Sequence, residues 1–324
     1  MLNLLKWSLF VGVLIAAFPI HSLASPAQST LLPLIPHEAR IVAGIEDPRN
    51  PDTRGHLLLV TKGNTFDFDD FQSLTGVDMH RGVDEAIWVA APSPQGALNG
   101  HLLLVAGHFD RAHIFQAAEQ NGFATTVYRN LEVMLVKPFP REAGQLQDLR
   151  WMAILDGRTV VFGSPRLVQK ALDRSIDHEP ADPQLAARLD RLHPQVSSWT
   201  ILVTPRELLP SRADIGQAPW VDLLGRETLD AAEELTLGIR FGSTARVDFI
   251  VQTARPVMSA GAAGLAGQRL FESSSFRSAR PRLEGLTIEQ NLIRGSILLP
   301  GKQLDACFKS ATCGESAVTL RADK

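Results

Sequence analysis

The chain has 324 residues, 45% of them hydrophobic and 21% charged, with a formal net charge of −3. That length suffices for a large buried core in one or two domains. The mild charge and the lack of any Lys/Arg run argue against a nucleic-acid-binding surface, which needs a basic stripe to release counterions.

The N-terminus predicts a secretory signal peptide over residues 1–24. Lys6 supplies the positive start, Trp7 to Phe18 an apolar stretch, and Ser22-Leu23-Ala24 the small residues of a cleavage site. The apolar run stops at Pro19-Ile20 and is short for a bilayer span, so cleavage is expected to leave no stable transmembrane segment. Loss of Lys6 with the leader takes the net charge from −3 to −4. Export implies a periplasmic or secreted protein. Residues 25–38, with Pro26, Pro33 and Pro36, read as an extended leader into the fold.

From there the elements alternate. Arg40 to Ile45 is a strand, followed by a turn-rich stretch and a short apolar run at His56 to Val60. A helix is expected from Asn64 to Gly76. Ile87–Ala91 and His101–Ala106 are strands, Asp110–Asn121 a helix stopped by Gly122, and Thr125–Tyr128 with Leu131–Val136 a hairpin about Arg129-Asn130. Ala153 to Arg174 follows as strand, Asp-Gly turn, strand and helix. Asp156-Gly157 predicts a two-residue type I′ turn, Ser164 a cap and Pro165 the first helical position. Leu167, Val168, Ala171, Leu172 and Ile176 mark the inward face. Beyond it come a helix at Pro183–Leu192, a strand at Ser198–Val203, a broken helical stretch at 205–224, and a hairpin at Leu235–Phe241 and Arg246–Thr253. A small-residue helix at Val257–Phe271, a hairpin at Arg282–Gln290 and Ser296–Leu299, and a last helix at Leu304–Lys309 complete the chain. The strand-turn-strand-helix order recurs, which predicts an α+β fold of two similar halves, residues 39–192 and 193–324. Each half is expected to be antiparallel sheet with helices on one face.

The chemistry-bearing residues are few. Asp67, Asp69 and Asp70, with Asp78 further on, could gather a hard cation, but the glycine and glutamate positions of a calcium loop are missing and Phe66, Phe68 and Phe71 interleave them. Helix-start aspartates also have a capping role. His101, His108 and His113, with Asp110, lie close in sequence but lack the four-residue spacing of a helical histidine pair. No G-x-S-x-G, S-x-x-K, P-loop or G-x-G-x-x-G motif occurs. Ser273-Ser274-Ser275 reads as a loop, and Gly261, Gly264 and Gly267 as small residues on a helix face. Cys307 and Cys313 have five residues between them, which suits neither a redox C-x-x-C pair nor a zinc site and predicts a structural disulfide worth about 2 kcal/mol. Trp88, Trp151 and Trp199 fall on strands and are expected in the core, while Trp220 is expected at a surface.

The run AILDGRTVVFGSPRLVQKALDR, preceded by HLLLVAGHFDRAHIFQAAEQNG, resembles a loose class of exported bacterial α+β proteins of unassigned function. The letters that carry the likeness are Gly163, Val168, Ala171 and Leu172, within a resemblance running from Arg40 to about Arg174. It implies architecture and export and brings no catalytic residue, cofactor or metal with it. The expected function is a non-enzymatic binding or interaction protein of the cell envelope, with an envelope protein or an apolar ligand as its partner. The alternatives are a metal-dependent hydrolase using the histidine and aspartate groups, and a periplasmic carrier of lipid or another apolar ligand.

Overall fold

Strands dominate the fold because apolar and β-branched residues recur in short runs with turn residues between them. The computed structural model describes residues 26–46, 76, 82–92, 100–120, 122–136, 149–203, 232–254 and 282–302. Residues 1–25, the apolar run at 56–60, the aspartates at 67, 69, 70 and 78, the Ser273 and Gly261 runs, Trp220, both cysteines and the expected helices at 64–76, 205–224, 257–271 and 304–309 lie outside these residues, apart from Gly76 itself. Residues 26–38 are not an extended leader: they form short 3-10 turns at Pro26–Gln28 and Leu32–Leu34, because Leu31, Leu32, Leu34 and Ile35 are buried in the core.

The strands are β1 (Ile41–Glu46), β2 (Val83–Ala91), β3 (Gly100–Gly107), β4 (Ala124–Tyr128), β5 (Leu131–Val136), β6 (Arg150–Ile154), β7 (Thr159–Gly163), β8 (Ser198–Val203), β9 (Ala232–Arg240), β10 (Thr244–Thr253), β11 (Arg282–Glu289) and β12 (Leu292–Pro300). All twelve join one antiparallel sheet in the order β11-β12-β10-β9-β8-β1-β2-β3-β7-β6-β5-β4. The chain crosses from its N-terminal to its C-terminal strands where β1 pairs with β8, Ala43 opposite Thr200.

Side chains alternate across the sheet, and each face has its own core. On the first face Ile87, Val89, Leu102, Leu104, Val161 and Trp199 pack with helices α2 (Pro165–Ile176) and α3 (Pro183–Leu189) and with Leu31 to Ile35 of the N-terminal segment. On the opposite face Trp88, Leu103, Val105, Met134, Met152 and Phe162 pack under helix α1 (Arg111–Gln120). The α+β class is therefore correct, but the described helices cover both faces rather than one. Two-sided cover explains why β2 and β3 are almost wholly apolar instead of alternating.

Local signals fared well, though β2 begins four residues before the expected Ile87 and β12 four before the expected Ser296, and the turns and helices bring three further adjustments. Asp156-Gly157 belongs to a three-residue loop, since Leu155 N–H donates to the Thr159 carbonyl at 3.0 Å and Gly157 alone has positive φ, +74°. The Asp156 carboxylate accepts from Arg158 N–H at 2.9 Å, which stabilises the extra residue. Ser164 does stand at the N-cap of α2, but its side chain makes no cap bond; its Oγ accepts from His101 N–H at 2.9 Å and so fastens the helix start to β3. Helix α3 ends at Leu189, three residues early. The β4–β5 turn is as expected: Arg129 and Asn130 have φ of 47° and 68°, the type I′ geometry that matches strand twist.

Candidate functional site

An open cleft of about 870 Å³ lies on the first face, lined among others by Leu34, Glu85, Leu155, Arg158, Ile176 and Glu179. Three pieces of chain define it. The strand ends of β2 and β3 form its floor, the β6–β7 loop and the C-terminal turn of α2 form one wall, and the N-terminal segment from Thr30 to Leu34 forms the other.

Arg174 holds that second wall in place. It stands in the last turn of α2, only 4% exposed. Its Nε donates to the Pro33 carbonyl at 2.6 Å, Nη2 to the Pro180 carbonyl at 2.8 Å, and Nη1 to Glu179 Oε2 at 2.6 Å. A planar guanidinium can satisfy three acceptors from different segments at once, so one side chain pins the N-terminal segment and the α2–α3 connection to α2. Lys170 bonds Glu38 one turn earlier. Burial pushes the Glu38 carboxyl up, but this bond, with Arg166 nearby, leaves it below its ordinary value.

The floor holds the Glu85 carboxyl, with Glu46 beside it in the sheet, and neither is paired with a Lys or Arg among the described residues. Glu46 ends β1, Glu85 lies near the start of β2, and the two are directly opposite in register, so their side chains share the first face. Like charges directly opposite across two strands repel. Burial raises Glu85 to about 7 even though a Ser29 side-chain hydrogen bond lowers it. Burial, with the charge of Glu85 added, raises Glu46 to about 8. Near neutral pH the pair thus retains protons that ordinary glutamates have lost. Asp84, Asp156 and Glu179 add further carboxylates to the cleft.

The three histidines do not come together. His101 is the second residue of β3 and His108 follows its end, which at a strand rise of ~3.3 Å per residue separates them by roughly 20 Å. His101 is 6% exposed and stacks on Trp88, ring centroids 5.6 Å apart. Burial, with Arg150 adding to it, lowers His101 to about 4, and its Nδ1 has no hydrogen-bond partner among the described residues. His108 is exposed, its Nδ1 3.8 Å from Asp84 Oδ2. His113 is exposed on α1, and Asp110 caps that helix by accepting from His113 N–H at 3.0 Å. Among the described residues no three His, Cys, Asp or Glu side chains gather as a metal site would require.

Sequence reasoning did not single out Glu46, Glu85 or Arg174. The available signal was an acid at the end of an otherwise apolar strand, in RIVAGIE and VDEAIWVAA. Comparison of the chain with protein-family models, with curated proteins and with solved structures finds no match.

Proposed function

We propose that this is an exported, non-enzymatic binding protein of the cell envelope, and that the cleft on the first face takes a small organic cation with some apolar surface. The observation that carries this reading is Glu85, a carboxyl on the cleft floor with no cationic partner among the described residues and a raised proton affinity. A bound ammonium group would supply that partner, favour the ionised form and displace the proton. Leu34, Leu131, Leu155 and Ile176 offer apolar contact to the rest of such a ligand, and Thr30 and Thr159 offer hydroxyls.

The strand order supports a duplicated scaffold. β1-β2-β3-β7-β6 and β8-β9-β10-β12-β11 are the same antiparallel arrangement, running outward from the β1–β8 junction. The repeated unit is then five strands, with the β4–β5 hairpin as an addition to the first copy.

Calorimetric titration of the mature chain with linear alkyl diamines tests the binding reading, with linear dicarboxylates as the opposite-charge control. Diamine binding that strengthens from pH 6 to pH 8 and releases a proton is the expected outcome. No diamine binding, or equal binding of the dicarboxylates, overturns the assignment of the cleft.

A further inference from the structure

The two ends of the sheet are built differently. At one end β11 carries Arg282, Glu284 and Glu289, and a register shift between Glu284 and Thr287 bends it where Gly285 has φ +61°. Charges and bulges are the usual means of keeping an edge strand from pairing with another chain. At the other end β4 reads Ala-Thr-Thr-Val-Tyr, with no charge, proline or glycine. Val127 on this strand is 71% exposed.

Backbone register shows which groups this edge offers. The two-residue turn at Arg129-Asn130 makes Tyr128 and Leu131 a hydrogen-bonded pair. Bonded pairs then recur at every second residue, so Ala124, Thr126 and Tyr128 turn their backbone groups toward β5. The N–H and C=O of Thr125 and Val127 point outward. The hairpin is also held rigidly: Tyr128 Oη donates to Asp173 at 3.0 Å, Arg129 bonds Asp173 and Asp177, each at 2.8 Å, and Arg111 bonds Glu132 at 3.2 Å. In the five-strand order shared by the two halves this hairpin has no counterpart, so the sheet plan itself does not require it.

We infer that β4 is a self-association edge, and that its occupant is β4 of a second copy of this chain, antiparallel about a twofold axis at Thr126. That axis sets Thr125 of one copy opposite Val127 of the other, and each such pair exchanges two hydrogen bonds, four in all. The edge is uncharged, so two copies meet without like-charge repulsion, and the cross-strand neighbours are threonine and valine, both favoured on sheets. The inference is independent of the ligand cleft, since the β4 edge contributes no residue to that cleft's lining.

Sedimentation equilibrium of the mature chain across a concentration series tests it. Val127→Pro removes an outward N–H that the monomer does not use, and proline is tolerated at such edge positions. Thr125→Lys adds a charge at the same edge and does not depend on proline being accommodated. A concentration-dependent dimer is expected, with either variant raising the dissociation constant on the order of a hundredfold at unchanged circular dichroism. A wild-type chain that stays monomeric throughout overturns the inference, as does a dimer that neither substitution weakens.

Discussion

Glu85→Gln removes one proton from the cleft floor and little else, because glutamine keeps the length of the side chain and its capacity to hydrogen-bond Ser29. In the folded protein Glu85 titrates near 7, and its ordinary value is 4.5. Between those two values the folded state holds a proton that the unfolded chain has released. Stability from this group is therefore fully present below pH 4.5 and is lost as pH rises through 7. At about 1.4 kcal/mol per pH unit, the loss between pH 4.5 and pH 7 comes to roughly 3 kcal/mol. Glutamine cannot ionise, so the variant keeps what the wild type loses. Urea unfolding followed by tryptophan emission reads the difference, since Trp88 and Trp199 are buried. At pH 5 the two proteins should unfold at similar urea concentrations. At pH 8 the variant should be more stable by an amount on the order of 3 kcal/mol, with m unchanged. Glu46→Gln should act in the same direction, its window extending to about pH 8. The double variant should gain less than the two single gains added, because the repulsion between the carboxylates can be relieved only once. Parallel wild-type and Glu85→Gln curves from pH 5 to pH 8 would refute the reasoning: the floor would then be wet and both glutamates ionised.

His101 gives the opposite slope. Its folded value near 4 lies below the 6.5 of an exposed histidine, so its contribution is present above pH 6.5 and lost as pH falls toward 4. His101→Phe preserves the stack on Trp88 and removes the titration, and should be more stable than wild type at pH 4 by on the order of 3 kcal/mol, read from urea midpoints. Arg174→Met should cost about 3 kcal/mol, because the carbonyls of Pro33 and Pro180 and the Glu179 carboxylate all lose their donor. Limited proteolysis should then cut earliest within residues 26–40, and Arg174→Lys should not restore protection, since an ammonium lacks the planar fork.

The hairpins were legible in the sequence because their determinants are local. Arg129-Asn130 sets a two-residue turn whatever the rest of the chain does, and β8 has the bounds that its run of apolar residues implies. Which strand lies beside which was not legible. β7 rather than β5 pairs with β3, which leaves β4 and β5 at the outer end of the sheet, and no turn residue records that choice. The site was hidden for the same reason. Glu46 and Glu85 are far apart in the chain and become neighbours only through the β1–β2 register. The histidines err the other way, close in sequence and separated by the length of β3. Chain proximity overstated one cluster, and register created another.

Polar groups are satisfied unevenly across this sheet. On β10 and β12 the half-buried Arg246 donates to Asp248 at 2.8 Å and to Ser296 at 2.7 Å, and Arg188 of α3 meets Glu234 of β9 at 2.8 Å. The unpaired groups collect near the middle. Among the described residues Trp88 Nε1, His101 Nδ1, Trp199 Nε1 and Thr200 Oγ1 are buried without partners. Each unsatisfied group costs about 1–3 kcal/mol, and folds normally arrange partners for such groups. These four groups lie on β2, β3 and β8, and Trp88 with the His101 ring stacked on it belongs to the face opposite the cleft. For Glu85 the proposed cationic ligand would favour the ionised form and so offset the burial that raises its proton affinity.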